Sequence, residues 1–157
     1  MPVIDIEKAK LHLRVDDDAG DDVQDKLIAA IDIAEQFLNR KVFANAQEMA
    51  TLKGTIPDLV EQADTQYNNA IAQSNLYSPE YRDSSIYAAC QNKAEAYRKI
   101  RMIDLGIVIN ASIEIGILML LGHLYANRED IVVGLSAIEL PKSSHHYLMP
   151  YRMDMGV

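Results

Sequence analysis

Residues 107–126 are apolar at most positions, interrupted by Asn110, Ser112, Glu114 and His123. A stretch of that length either crosses a bilayer or is covered by other protein. Glu114 lies inside it and Arg128, Glu129 and Asp130 follow directly. A charged side chain deep in lipid costs about 2.5 kcal/mol or more. The sequence therefore predicts a buried helix over about Val108–Asn127, central to the fold. Gly116 and Gly122 each cost it about 1 kcal/mol relative to Ala, which predicts that another helix approaches closely there.

Something must cover that helix, and apolar residues make up 49% of the 157. That is enough for a real core in a single domain. Asp5 is a cap for a short helix to about Arg14, with Ile6, Ala9 and Leu13 on one side. After the acidic turn Asp16–Asp22, the apolar residues Val23, Leu27, Ile31, Ala34 and Leu38 recur at steps of three or four. They predict an amphipathic helix over about Asp22–Asn39, widened by Phe37, with its acids at the favourable end of the macrodipole.

Lys41–Gly54 lacks such periodicity and reads as a loop or short turn. Thr55-Ile56-Pro57-Asp58 and Ser78-Pro79-Glu80 then mark two helix starts. The first helix carries Leu59, Ala63, Tyr67, Ala70 and Ile71 on one face, up to about Gln73. The second carries Ile86, Cys90, Ala94, Tyr97 and Ile100/Arg101, and Gly106 closes it. The expectation is an antiparallel pair standing out from the core. Beyond Gly134 the chain reads as extended through Ser136–Leu140, halted by Pro141, with a short helix over about Ser143–Met149 and a Pro150-Tyr151-Arg152 end. The predicted class is mainly α: a small helical bundle with a helical insertion over 41–106 and an extended C-terminal arm over 135–157.

Composition narrows the function classes. With 23 acidic against 15 basic residues the formal net charge is −8, a poor balance for neutralising phosphates. Cys90 is the single cysteine, so neither an internal disulfide nor a Cys-based zinc cluster can form, which suits a reducing cytoplasm. Met1-Pro2-Val3-Ile4-Asp5 has neither the basic start nor the apolar centre of a secretory signal.

Three stretches carry a resemblance. Ile6-Glu7-Lys8-Ala9-Lys10-Leu11-His12-Leu13-Arg14-Val15-Asp16, followed by acids and a helix ending Phe37-Leu38-Asn39-Arg40, resembles the opening of the phage head–tail connector family. In that family an "EAKxHLRVD" segment leads to a "YLGR"-like turn. Ile117-Leu118-Met119-Leu120-Leu121-Gly122-His123-Leu124-Tyr125-Ala126-Asn127-Arg128-Glu129 is similar to its "ILLLVAHxYENRE" helix. Glu139-Leu140-Pro141 and Leu148-Met149-Pro150-Tyr151-Arg152 resemble its "ELP…LLxPYR" ending. Together they cover about half the chain in the family's order, while 41–106 matches none of its pattern.

The resemblance implies a structural virion protein, assembled in the host cytoplasm and located at the head–tail junction. Its subunits form a ring, typically twelvefold, beneath the portal protein. The ring extends the DNA channel without specific DNA binding and docks a tail-side stopper or tail-completion protein. No catalytic residue and no cofactor are implied. By position, Asn127, Arg128 and Glu129 would end the central helix. Leu140, Pro141, Leu148, Tyr151 and Arg152 would belong to the arm that couples subunits; the expectation is that removing 140–157 leaves the fold intact but abolishes attachment. Heterologous contacts that close are what a ring needs, and Tyr, Met and Arg are interface anchors.

Other candidate sites are weaker. A calcium loop starting at Asp16 would need Gly at its sixth position and Glu at its twelfth; Gly20 is fifth and Leu27 twelfth. His145 and His146 are adjacent and point apart on a helix. Cys90, on an apolar stripe, reads as inert packing, and His123 as a helix residue bonded at a packed face. Arg98, Lys99 and Arg101 form a basic cluster that could touch DNA in a channel, or pair with acids such as Glu95 and Asp104. Two rival readings are a small cytosolic helical adaptor or regulator outside any virion, and an acidic metal-using enzyme.

Overall fold

The computed structural model describes residues 2–15, 20–127 and 142–153. The protein is mainly α, a small helical bundle. Asp5 caps the first helix, α1 (Ile6–Leu13), by accepting the Glu7 N–H at 3.1 Å. Arg14, at φ 56°, ends it in the left-handed region. Helix α2 (Gly20–Leu38) buries Val23, Leu27, Ala30, Ala34 and Leu38, one stripe at helical spacing, with Ile31 half-buried beside it. The turn after it is made by Asn39, at φ 54°.

Where the sequence suggested a loop over 41–54, the chain forms a strand, β1 (Val42–Phe43), and a helix, α3 (Ala46–Gly54). Asn45 caps α3 by accepting the Glu48 N–H at 2.8 Å. No residue of α3 is fully buried, so it carries no apolar stripe that periodicity could detect. Helix α4 (Ile56–Ser74) follows, then α5 (Pro79–Asp104). Strand β2 (Ile107–Val108) pairs parallel with β1, Val42 opposite Ile107. Ile107 N–H donates to the Lys41 carbonyl at 2.9 Å and Ile109 N–H to that of Phe43 at 2.8 Å. This short ladder closes the base of the 41–106 excursion. A Cβ on Gly106 would lie 2.3 Å from the Phe43 ring, so only glycine lets the strand pass beneath it.

The central helix, α6 (Ala111–Ala126), starts three residues later than its apolar run suggested. Asn110 caps it, accepting the Ile113 N–H at 3.0 Å, and Ile107–Val108 are spent on the strand. Ile113, Gly116, Ile117, Leu118, Leu120 and Leu121 are buried against α2, α1 and a last helix, α7 (Lys142–Leu148). Among the described residues no helix is long and apolar enough to cross a membrane.

Gly116 and Gly122 behave differently. A Cβ at Gly116 would meet Leu148 at 2.8 and 2.9 Å, so α7 does approach closely there. At Gly122 the nearest atom is His12 Nε2 at 3.9 Å, leaving room for a methyl group.

Helices α4 and α5 pack along each other, and α3 lies against both. Their contact face differs from the predicted one on α5. Of the expected Ile86, Cys90, Ala94, Tyr97 and Ile100/Arg101, Ile86 and Ile100 are half-buried but Cys90, Ala94, Tyr97 and Arg101 are exposed, whereas Ala89 is buried and Lys93 and Ala96 are half-buried. The face is rotated by one residue. Alanines let the two backbones close up against Ala63 and Ala70, and the bulkier stripe turns to solvent. Ser74 Oγ, fully buried, bonds Ser85 Oγ at 2.7 Å near the hairpin turn.

Candidate interaction surfaces

The C-terminal stretch was expected to reach away from the core. Its described part, 142–153, lies on the core instead. Leu148 is 0% exposed and seated on Gly116. Full burial of a leucine contributes roughly 1.5–3 kcal/mol. Leu148 is therefore not available to a neighbour, because the chain's own core already encloses it. Removing 140–157 would strip that core, contrary to the expectation that the fold would survive.

A 3-10 turn (Met149–Tyr151) continues from α7 and is tied to the end of α2. Met153 N–H donates to the Leu38 carbonyl at 2.9 Å, and Asn39 Nδ2 to the Met153 carbonyl at 2.9 Å. Arg40 donates Nε to the Leu105 carbonyl at 2.6 Å and Nη1 to that of Tyr151 at 3.3 Å. One guanidinium thus joins the end of α2, the end of α5 and the C-terminal turn. Desolvation holds the Arg40 pKa below its ordinary value. Tyr151 is half-buried, and the exposed Arg152 stacks 5.0 Å over the Phe37 ring.

Asn127 caps the end of α6, exposed, donating Nδ2 to the His123 carbonyl at 2.9 Å. His123 is exposed as well, its Nδ1 3.2 Å from the same amide, rather than at a packed face. Arg128, Glu129, Leu140 and Pro141 lie outside the described residues, as does the extended stretch expected over 136–140. His145 and His146 do diverge, one against Phe37 at 5.1 Å and the other against Tyr147 at 6.1 Å.

The basic cluster divides. Arg98 donates to Glu95 at 2.8 and 3.0 Å and reaches across to Gln36 Oε1 at 3.0 Å. The bond to Glu95 raises its pKa. Lys99 lies 3.9 Å from Glu95. Arg101 is exposed and its side chain has no ion pair or hydrogen bond among the described residues. Asp104 takes no part.

On the flank of the hairpin, Lys93 bonds Asp64 at 2.7 Å and sits 4.6 Å over Tyr67 and 5.5 Å over Tyr97. Tyr97 donates to the same Asp64 at 3.1 Å. The Lys93 and Tyr97 hydrogen bonds hold the Asp64 carboxyl below the usual carboxylate range, and Asp64 in turn raises Lys93. Two adjoining concavities run along this flank. One, of about 340 Å³, is lined by Tyr67, Cys90, Lys93, Ala94 and Tyr97. The other, of about 440 Å³, is lined by Ala94, Tyr97, Arg98, Ile100 and Arg101. Cys90 is exposed here, not packed away, with Tyr67 Oη 3.9 Å from its sulfur.

Sequence reasoning passed over three features. Glu35, 4% exposed, accepts the Val42 N–H at 3.0 Å and pairs with Lys41 at 2.7 Å, fixing α2 to β1. Ile28 on α2 is 59% exposed; its only signal was an isoleucine off the buried stripe. Leu76 at 85%, Tyr81 at 60% and Tyr87 at 66% are exposed on the far half of the hairpin, where apolar residues off the packed face were the available clue. Among the described residues no group of His, Cys, Asp or Glu could hold a metal ion. No family model matches this chain, and no curated protein or solved structure proves similar to it.

Proposed function

We propose that the chain is a structural subunit of a phage head–tail junction, one member of a ring beneath the portal that extends the DNA channel and docks tail-side proteins. The observation that carries this reading is convergence. The stretches resembling the connector family lie far apart in sequence, their described parts at Ile6–Val15, Ile117–Asn127 and Leu148–Arg152. They meet in one core, with α1 and α7 both packed on α6 and Leu148 on Gly116. Stretches that belong to one conserved structural unit are expected to be mutual packing partners, and these are. The 41–106 segment, outside the resemblance, leaves and re-enters that core at the β1–β2 ladder. A ring subunit also needs exposed anchors, and the tyrosines and Leu76 of the hairpin are of that type.

One observation favours the second reading, a cytosolic helical adaptor. Residues 142–153 are satisfied on the chain's own core, which leaves less for neighbouring copies to cover. Particles produced without this chain separate the two. The ring reading expects filled heads and finished tails that do not join until purified chain is added. Normal joining in its absence would reject that reading and leave the adaptor.

A further inference from the structure

Two exposed stripes on this chain have the same spacing and opposite chemistry. On α5 the flank runs Cys90, Ala94, Tyr97, Arg101, and on α2 an outer stripe runs Asp21, Asp25, Ile28, Asp32. Steps of four, three and four put each set on one side of its helix, over about 16 Å at 1.5 Å per residue. All eight residues are exposed. The α5 stripe is concave, since the adjoining hollows of about 340 and 440 Å³ share Ala94 and Tyr97. The α2 stripe is apolar at its middle, where Ile28 is 59% exposed between carboxylates. Within one chain Arg98 bonds Gln36 and is attracted by Asp32, so the two helices meet at the end of α2 away from Asp21, Asp25 and Ile28.

We propose, building on the ring reading, that the α5 flank of one copy receives the α2 stripe of the next. Ile28 fills the hollow around Ala94 and Tyr97, and Asp21 and Asp25 meet Arg101. Charge complementarity selects this occupant. Arg101 has no partner among the described residues, and neither do Asp21 and Asp25. Nucleic acid fits the flank less well. Arg98 and Lys99 share the single charge of Glu95 and Lys93 pairs with Asp64, so with Arg101 four cations face two acids, and the small excess is less than a phosphate track needs. Because the two surfaces differ, the contact is heterologous, the kind that propagates from copy to copy until it closes.

Cys90 is the chain's one cysteine and lies on the receiving flank, which gives a direct test. In Ile28→Cys each copy carries one thiol per surface. A flexible bis-maleimide should then link the full chain into a ladder of dimers, trimers and higher species. The unsubstituted chain should stop at dimers, and adding Arg101→Glu should weaken the ladder by about tenfold or more, as for an interface anchor. Rings by native mass without a ladder would overturn this contact while leaving the ring reading intact. A chain that stays monomeric by both measures would overturn both. A ladder untouched by Arg101→Glu, with loss of duplex DNA retention instead, would assign the flank to nucleic acid and overturn the proposal.

Discussion

Leu148 and Gly116 are packed closely enough to couple, and the size of that coupling follows from the geometry. Leu148→Ala removes a fully enclosed side chain and should cost about 3 kcal/mol, within the range of 2–5 for such truncations. Gly116→Ala gains about 1 kcal/mol of helix propensity. However, its new methyl would sit 2.8 Å from Leu148 Cγ, and overpacking costs about 1–3 kcal/mol. The net is a loss of about 1 kcal/mol. In the double variant the Leu148 side chain is gone, the methyl has room, and only the propensity gain remains. Its cost should be about 2 kcal/mol, against about 4 if the two were independent. Urea unfolding followed by helical circular dichroism measures this. A slope near 2 kcal/mol per molar puts the Leu148→Ala midpoint about 1.5 M below the parent. Additive costs, or a Leu148→Ala loss under about 1 kcal/mol, would refute the docking of α7 on α6.

Three further outcomes follow. Glu35→Ala leaves the Val42 N–H of β1 without its acceptor and should cost about 1–3 kcal/mol, whereas Glu35→Gln keeps an acceptor and should cost under about 1 kcal/mol, because Lys41 is partly solvated; equal losses in denaturant melts would contradict this. Asp64 has a lowered folded pKa, so its stabilisation is present above the unfolded carboxylate value of about 3.9 and is lost as pH falls through the lower folded value. Lys93 is raised, so its share is present below about 10.4 and is lost as pH rises through its folded value. Melting temperature against pH should therefore show a shallower acid limb in Asp64→Asn, and an unchanged limb would remove the pair from the account. Finally, Cys90 should react with a thiol reagent at one equivalent in the folded single chain, diluted below assembly; reaction only after unfolding under those conditions would contradict its exposure.

How much of this was written in the residues varies by element. Long-period signals were legible: Asp5 before Ile6, the stripe from Val23 to Leu38, and the prolines at 57 and 79 each marked a helix that forms within two residues of its expected bound. Short-range signals failed where the cause is long-range. Val42–Phe43 and Ile107–Val108 are too short to show alternation, and each is a strand only because the other lies beside it. Helix α3 depends on the Asn45 cap and on half-burial, neither of which gives a period. On α5 hydrophobicity pointed to the tyrosine stripe, but close approach favoured the alanines, because backbone separation is set by the smallest residues. The surface candidates were the least legible. Leu148 looked like an anchor for a neighbour, and Arg101 became distinct from Arg98 only once Glu95 and Gln36 were seen to engage the latter.

The mass of the purified full-length chain in solution, alone and mixed with portal rings, bears most directly on the central proposal. The account predicts closed assemblies near twelve times 17.6 kDa, formed spontaneously or upon meeting the portal. A species that stays at 17.6 kDa at every concentration, and ignores the portal, would contradict it.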